Sequence, residues 1–293
     1  MTWRLTGNPE EFLAAAGQHL RAEPVHNTVL LTVLETLRHG GMSAFGDEPP
    51  VFGWHESAGR GTDGAFLHTP PFPVLAARLP APGAASSLVD LLTADGRVPT
   101  QANVTSADEA DMTAAWTAAT GGSATLRLRT RLFRLAGLLP PDPMPAGAAR
   151  LATGADHDLL AGWHAAFGAE TGTGGDPQRS VEDRLSHGGL MIWEADGQPV
   201  AMAGCTRNVA GVIRVVDVYT KPEHRQRGYG GAITTAVTRA ALDDGAADVV
   251  LFTDLANPTS NALYGRLGYR PVGERVLLRL DLPAHGQPTG GPR

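Results

Sequence analysis

The sequence predicts an α/β (α+β) chain built as two tandem copies of one fold, each a mixed, mostly antiparallel sheet flanked by helices. Three observations carry this expectation. Helix-period and strand-period segments recur twice in the same order along the 293 residues. The segment Leu138-Leu139-Pro140-Pro141-Asp142-Pro143-Met144-Pro145-Ala146-Gly147 separates the two series, with prolines too dense for a helix or central strand. Each series also closes on a strand in which arginines alternate with apolar residues. The length suits two domains, at roughly 100–200 residues each.

In the first series, residues 9–21 and 27–38 read as helices, the second through Val29, Leu30, Val33, Leu34 and Leu37. Short strands follow at 51–55, 64–69 and 73–79, then helices near 85–94 and 107–119. Residues 125–132 set Leu126, Leu128, Thr130 and Leu132 against Arg127, Arg129 and Arg131. Such an arginine ladder is ordinarily the solvated face of its strand; a docking face for an acidic partner or for the other domain is the other reading. In the second series, Leu159, Leu160, Trp163 and Phe167 define a helix over 155–168, and a short helix follows at 180–187. Strands are expected at 189–194, 199–206 and 212–220, the first two joined by the hairpin signal Asp196-Gly197. A helix at 229–244, a buried strand at 249–253, a helix at 259–267 and a strand at 270–280 complete it. The domain division is therefore 1–138, a linker at 139–147, 148–281, and a flexible tail at 282–293.

Composition narrows the function. Lys plus Arg number 24 against 30 Asp plus Glu, a formal charge of −6. A mildly acidic chain has no general attraction for phosphate backbones or anionic membranes, so nucleic acid and membrane are not expected partners. Gly (36) and Pro (22) make up about 20% of the chain, below the roughly 25–30% of a disordered composition. Cys205 is the single cysteine, which excludes an internal disulfide and a Cys-rich zinc site. The ten histidines form no H-x-x-x-H or related pair, and no metal is expected. The start lacks an apolar signal core, and no run approaches about 18 apolar residues, so the expected location is the cytoplasm.

The chemistry concentrates in Val218-Tyr219-Thr220-Lys221-Pro222-Glu223-His224-Arg225-Gln226-Arg227-Gly228-Tyr229-Gly230-Gly231. A strand ends, a polar turn follows, and glycines open a long helix whose N-terminal amides and dipole favour an anion. Gly228 and Gly230 let a phosphate approach the main chain, while Arg225 and Arg227 add positive charge. A dinucleotide loop fits badly, because Ile233 stands where the third glycine would be, and there is no G-K-[ST]. The order R-x-x-G-x-G after a strand instead resembles the acyl-CoA pyrophosphate loop of the GNAT acetyltransferase superfamily. A second segment, Leu251 to Val272, resembles that family's strand–loop–helix–strand unit. The resemblance covers about residues 148–281; across residues 1–138 it is topological only.

The resemblance implies acetyl-CoA as cofactor, held by Val218, Tyr219, Thr220, the loop Arg225, Gln226, Arg227, Gly228, Tyr229, Gly230 and Gly231, and by Asn257, Asn261 and Tyr264. It implies direct attack of an acceptor amine on the thioester, with Tyr264 protonating the departing thiolate and the backbone at Val218–Thr220 polarising the carbonyl. The base stays open: Asp217 is the nearest carboxylate, Glu170 lies where acceptor loops belong, and water or an already neutral amine are further alternatives. Glu194 belongs to the hairpin rim, and Cys205 is read as structural. His224 sits in the turn, facing solvent or phosphate. The first copy has no R-x-x-G-x-G, and its Gly59–Gly64 stretch reads as a hairpin loop, so cofactor binding is expected to be lost there. The expected function is N-acetylation of a small-molecule amine or amino-acid-like metabolite, by a monomer or homodimer. The alternatives are acetylation of protein N-termini or lysines, and a non-catalytic acyl-CoA-binding module.

Overall fold

The structure, a computed structural model, describes residues 2–283 except 60, 81, 95, 173 and 174. The expected tail from residue 284 onward lies outside the described residues. In chain order the elements are β1 (Thr2–Thr6), α1 (Pro9–Ala22), α2 (Thr28–Gly40), β2 (Val51–Ser57), β3 (Gly61–His68), β4 (Val74–Ala76), α3 (Ala84–Ala94), β5 (Gln101–Thr105), α4 (Glu109–Thr120) and β6 (Ser123–Leu135). There follow β7 (Ala148–Leu151), α5 (His157–Thr171), α6 (Pro177–Leu185), β8 (Leu190–Ala195), β9 (Gln198–Cys205), β10 (Val212–Thr220), α7 (Tyr229–Asp243), β11 (Asp248–Asp254), α8 (Pro258–Arg266) and β12 (Tyr269–Asp281). Local chemistry sets several boundaries. Asp176 caps α6 by accepting from the Gln178 amide at 3.0 Å, with Pro177 following. Asp196 and Gly197 both take positive φ, 52° and 71°, so the β8–β9 hairpin turns there as its dipeptide predicts. None of the described helices is long and apolar enough to cross a membrane.

Two compact units result, and they are not the two halves of the sequence. The first comprises Met1–His19, Glu48–Arg129 and Arg275–Arg293; the second comprises Leu20–Asp47 and Thr130–Glu274. In the first unit the strand order is β1-β2-β3-β4-β5-β12, with Arg275–Arg279 of β12 antiparallel to β5. In the second it is β6-β11-β10-β9-β8-β7, with Thr130–Arg134 of β6 antiparallel to β11. Each closing strand is thus spent in the other copy, and each is mostly antiparallel with one parallel pair, β4–β5 or β10–β11. The division into 1–138 and 148–281 differs from this because β6 and β12, at 13 residues each, serve both units. The expected linker at 139–147 is also part of the second unit. There Leu139 N–H donates to Leu267 O at 3.0 Å, and Trp193 Nε1 donates to Ala146 O at 3.1 Å.

In the first unit, Trp3, Phe66, Leu88, Trp116 and Val276 form one core. The second unit covers its sheet on both faces. Ile213, Val215 and Leu251 pack on one face with Ile233 and Val237 of α7 and Tyr264 of α8. Tyr219 packs on the other with Leu160 and Trp163 of α5. α2 joins this second unit, where Thr32 Oγ1 accepts from Arg214 Nη2 at 3.0 Å. The arginine ladder of β6 is engaged within each unit. Arg129 pairs with Glu109 at 2.6 Å, and Arg131 with Glu274 at 2.9 Å.

Candidate active site

The site grows from an irregularity in β10. Parallel pairing with β11 runs from Val212↔Asp248 to Val215↔Leu251 and stops. On the other side the register to β9 shifts between Val216 and Tyr219, so Asp217 and Val218 have no cross-strand partner. Asp217 sits at φ 52°, which a non-glycine residue sustains at a cost of about 1–3 kcal/mol and only where its surroundings enforce it. A bulge bends its strand, and here β10 is out of register with β9 just beyond the point where its pairing with β11 ends. Tyr219 and Thr220 resume pairing opposite Met202 and Ala201.

Beyond Thr220 the chain turns at Gln226 (φ 62°) and Gly228 (φ 86°), and α7 begins at Tyr229. Ala232 N–H reaches Gly228 O at 3.1 Å, which leaves the amides of Tyr229, Gly230 and Gly231 without a partner inside the helix. A Cβ added at Gly230 would lie 3.6 Å from Thr220 Oγ1 and 3.8 Å from Leu263 Cδ2, ordinary contacts, so the fold itself has room for a side chain there. Gly231 differs, since its Cβ would crowd Pro141 at 3.3 Å. Of the two loop arginines, Arg227 is exposed and makes no ion pair among the described residues. Arg225 is committed elsewhere. It pairs with Glu170 at 2.6 Å, donates to Thr220 O at 3.0 Å and lies 5.7 Å over the Tyr219 ring. Its hydrogen bond to Glu170 raises its pKa above the ordinary guanidinium value. Glu170, expected at the acceptor, is paired with Arg225 of the turn before α7.

The β11–α8 corner brings the remaining residues together. Asn257 caps α8 by accepting from the Ser260 amide at 3.0 Å. Asn261 spends its side chain inside the corner. Its Nδ2 donates to Asp254 O (2.8 Å) and Asn257 O (2.6 Å), and its Oδ1 accepts from Thr253 Oγ1 (2.8 Å). Both asparagines, expected as cofactor contacts, are engaged in building the corner, Asn257 as the cap of α8 and Asn261 as its brace. Tyr264, 7% exposed, packs edge-on to Tyr269 with ring centroids 6.1 Å apart. Burial, with the Tyr269 ring second, raises its phenol well above the ordinary value, so it stays protonated.

Asp217 is turned by its bulge onto the α5–α6 face. Its Oδ2 lies 3.0 Å from Arg184 Nε, an ion pair not aligned as a hydrogen bond, and its Oδ1 lies 3.7 Å from His164 Nε2. Burial lowers the His164 pKa against the opposing pull of Asp217, so the imidazole is neutral at pH 7. His164, Arg184 and Arg214 were not singled out by the sequence. The available signal was the pair of charges, Arg214 and Asp217, inside the apolar run Val212–Val218. Burial pushes the Cys205 thiol up to about 11, an inert structural thiol. His224 keeps a buried Nδ1 without a partner, 6.4 Å from the Tyr229 ring, and stays outside the cluster.

The corresponding gap in the first unit is filled. β4 and β5 run parallel through Val74↔Ala102 and Leu75↔Asn103. Arg275, 5% exposed, places its guanidinium between them, donating to Ala76 O and Asn103 O at 2.8 Å each and to Asn103 Oδ1 at 2.6 Å. Within the Gly59–Gly64 stretch, Gly61–Gly64 open β3, which pairs antiparallel with β2 as the expected hairpin.

Comparison with known proteins agrees with this architecture. Residues 158–269 match the model of the Acetyltransferase (GNAT) family. The uncharacterized N-acetyltransferase YjcF of Bacillus subtilis (strain 168) is 29% identical over 107 residues, 36% of this chain and 74% of that protein. A GCN5-related N-acetyltransferase from Kribbella flavida is similar at a TM-score of 0.53 and 21% identity, over 87% of this chain and 96% of that one. A tandem GNAT protein from the clavulanic acid biosynthesis pathway is similar at a TM-score of 0.55 and 14% identity, over 94% and 97% of the two chains. The GNAT match thus lies in the second unit, and the chain over nearly its whole length shares the fold of a tandem GNAT protein. That family uses acetyl-CoA in acetyl transfer, and the residues present fit such a group. The unpaired amides of α7, the open space at Gly230 and the gap beyond Val215 and Leu251 offer it main-chain donors and room.

Proposed function

We propose that the protein transfers the acetyl group of acetyl-CoA to the amine nitrogen of a small molecule, at one site in the second unit. The observation that carries this reading is the convergence of three features on one gap. These are the bulge at Asp217, the bare first turn of α7, and Tyr264 beside it on α8. Acetyl-CoA supplies a thioester, an acyl group already activated toward amines. Backbone amides of α7 and Arg227 bind phosphate, and the chain at Asp217–Thr220 fixes the acyl carbonyl and meets the negative charge that builds on its oxygen. Holding the acceptor at that carbonyl removes much of the entropic barrier. As the C–N bond forms and the C–S bond breaks, the amine proton passes to Asp217 or to water. The Tyr264 hydroxyl donates a hydrogen bond to the sulfur; its raised pKa makes this hydrogen bond, rather than full proton transfer, its main contribution.

A thiol-release assay with acetyl-CoA over an amine library tests the reading. Turnover with small amines supports it. Turnover confined to peptide N-termini or lysines replaces the substrate class, and CoA binding without any turnover marks a binding module.

A further inference from the structure

Tyr219 and Thr220, which resume the pairing of β10 beyond its bulge, are held by more than the sheet. The Tyr219 ring meets Trp163 of α5, with centroids 6.1 Å apart, and also carries the Arg225 guanidinium 5.7 Å from its centroid. Arg225 Nε donates to Thr220 O at 3.0 Å, and its Nη2 donates to Glu170 Oε1 at 2.6 Å. Glu170 lies two helical turns beyond Trp163 on α5, so the contacts return to the helix from which they started. Trp163, Tyr219, Arg225 and Glu170 therefore form a closed circuit between α5, the end of β10 and the turn before α7.

Neither charge of the pair is explained by its own element. Glu170 stands in the last turn of α5, where a carboxylate meets the negative end of the helix dipole, and that turn holds no basic residue to offset it. Arg225 stands at the arginine of R-x-x-G-x-G, yet two of its three side-chain nitrogens are taken up inside the protein. The side chains are 43% and 45% exposed, and an exposed ion pair of this kind adds little to overall stability. What it adds is direction. The donors of a guanidinium are planar and fixed, so its bonds to Thr220 O and Glu170 together set where the end of β10 stands relative to α5. Arg227, exposed and without an ion pair among the described residues, is left to meet an anion.

Building on the proposed acetyl transfer, we infer that Glu170 and Arg225 are positioning residues of the reaction, which clamp the end of β10 to α5, and that Arg225 does not serve the cofactor's phosphates. The clamped segment is the one whose main chain fixes the acyl carbonyl in the proposed reaction. Sheet pairing supports it on one side only, through Met202 and Ala201 of β9, because pairing with β11 has ended at Val215. Asp217 at φ 52° and the unpaired Val218 precede it, so its position is not inherited from the regular part of β10. The circuit through Arg225 is the second support. A residue that acted on phosphate by charge alone could be lysine; two bonds of fixed direction require the guanidinium.

The test uses the full chain, with the Kd for CoA from calorimetric titration and kcat from thiol release with the best amine of the library. Glu170→Ala and Arg225→Lys should each lower kcat by about 10- to 100-fold, the scale of loss from a 1 Å misplacement, with the Kd for CoA nearly unchanged. The double variant should lose no more than the worse single variant, because both break one circuit. Arg227→Met should instead raise the Kd for CoA by about 10-fold, the loss of one hydrogen bond to a charged group. Backbone hydrogen exchange at residues 218–220 should quicken in Glu170→Ala, a readout independent of turnover. Glu170→Gln, which keeps an acceptor but not the charge, is the second variant if Glu170→Ala does not fold. A raised Kd for CoA with wild-type kcat in Arg225→Met returns Arg225 to the phosphates and overturns the inference. So do wild-type kcat and exchange in Glu170→Ala, wild-type kcat in Arg225→Lys, or losses that multiply in the double variant. All of these leave acetyl transfer standing. A wild-type chain that releases no thiol from acetyl-CoA with any amine overturns the proposed function, and this inference with it.

Discussion

Tyr264 packs into the core between α8 and the sheet, three residues beyond Asn261 on a helix that Asn257 caps, a placement readable directly from the sequence. Its buried hydroxyl is the one group of the site whose removal leaves the packing intact. Tyr264→Phe should lower kcat by about 100-fold with CoA affinity nearly unchanged, at the low end of what a positioned proton donor contributes. Wild-type turnover in that variant would make the hydroxyl structural. Asp217 was legible as a residue but not as a direction. Alternation along β10 gives a face only while the strand is regular, and a positive φ at 217 resets it. His164 and Arg184 were illegible for a related reason: what they face depends on how α5 and α6 pack, not on their own spacing. A second residue-scale prediction concerns His68, which is buried with its Nδ1 unpartnered. Burial lowers its pKa below the ordinary 6.5, with Arg97 adding to the effect and a hydrogen bond to Phe72 opposing it. A depressed folded-state value means that the unfolded chain binds the proton more readily. His68 therefore contributes stability that is fully present above about pH 6.5 and is lost as pH falls through its folded value. Melting temperature followed from pH 7.5 to pH 5 should fall less steeply in His68→Gln than in the wild type. Parallel slopes would remove His68 from the acid response.

Among the elements, the turn before α7 separates two roles that the sequence merges in one glycine-rich string. Gly228 needs its residue type for conformation, at φ 86°, whereas Gly230 has ordinary geometry and space for a Cβ. Gly228→Val should cost stability by about 1–2 kcal/mol as well as binding. Gly230→Val should fold with little loss yet abolish the rise in melting temperature that CoA confers by mass action. An undiminished CoA shift in Gly230→Val would place the cofactor elsewhere. Asn261→Ala strips the β11–α8 corner of its hydrogen bonds and should cost about 1–3 kcal/mol in denaturant unfolding, with a raised KM for acetyl-CoA. An unchanged midpoint and KM would contradict the loop-building role. Long periodic elements were legible throughout, with β10 met residue for residue at Val212–Thr220. The strands β1, β5 and β7 were not seen. At four or five residues, with sequences as polar as Gln-Ala-Asn-Val-Thr, they have too few alternations to show a period, and neighbouring strands define them.

For the whole molecule, the duplication was legible in the order of elements, and the exchange of closing strands was not. β6 and β12 carry the same alternation of arginine and apolar residues, so either satisfies either sheet as far as pattern goes. What separates them is where single residues end up. Arg275, opposite Thr105, is buried between β4 and β5, while Arg131, opposite Thr253, pairs with Glu274. In the first copy the parallel strands are bridged by a guanidinium where the second copy has a gap. The account stands on one cofactor site per chain, in the second unit, and calorimetric titration with CoA tests this most directly. It predicts a stoichiometry near one per chain for the wild type and no binding for Gly230→Val. A stoichiometry near two, or half of the binding surviving in Gly230→Val, would contradict it.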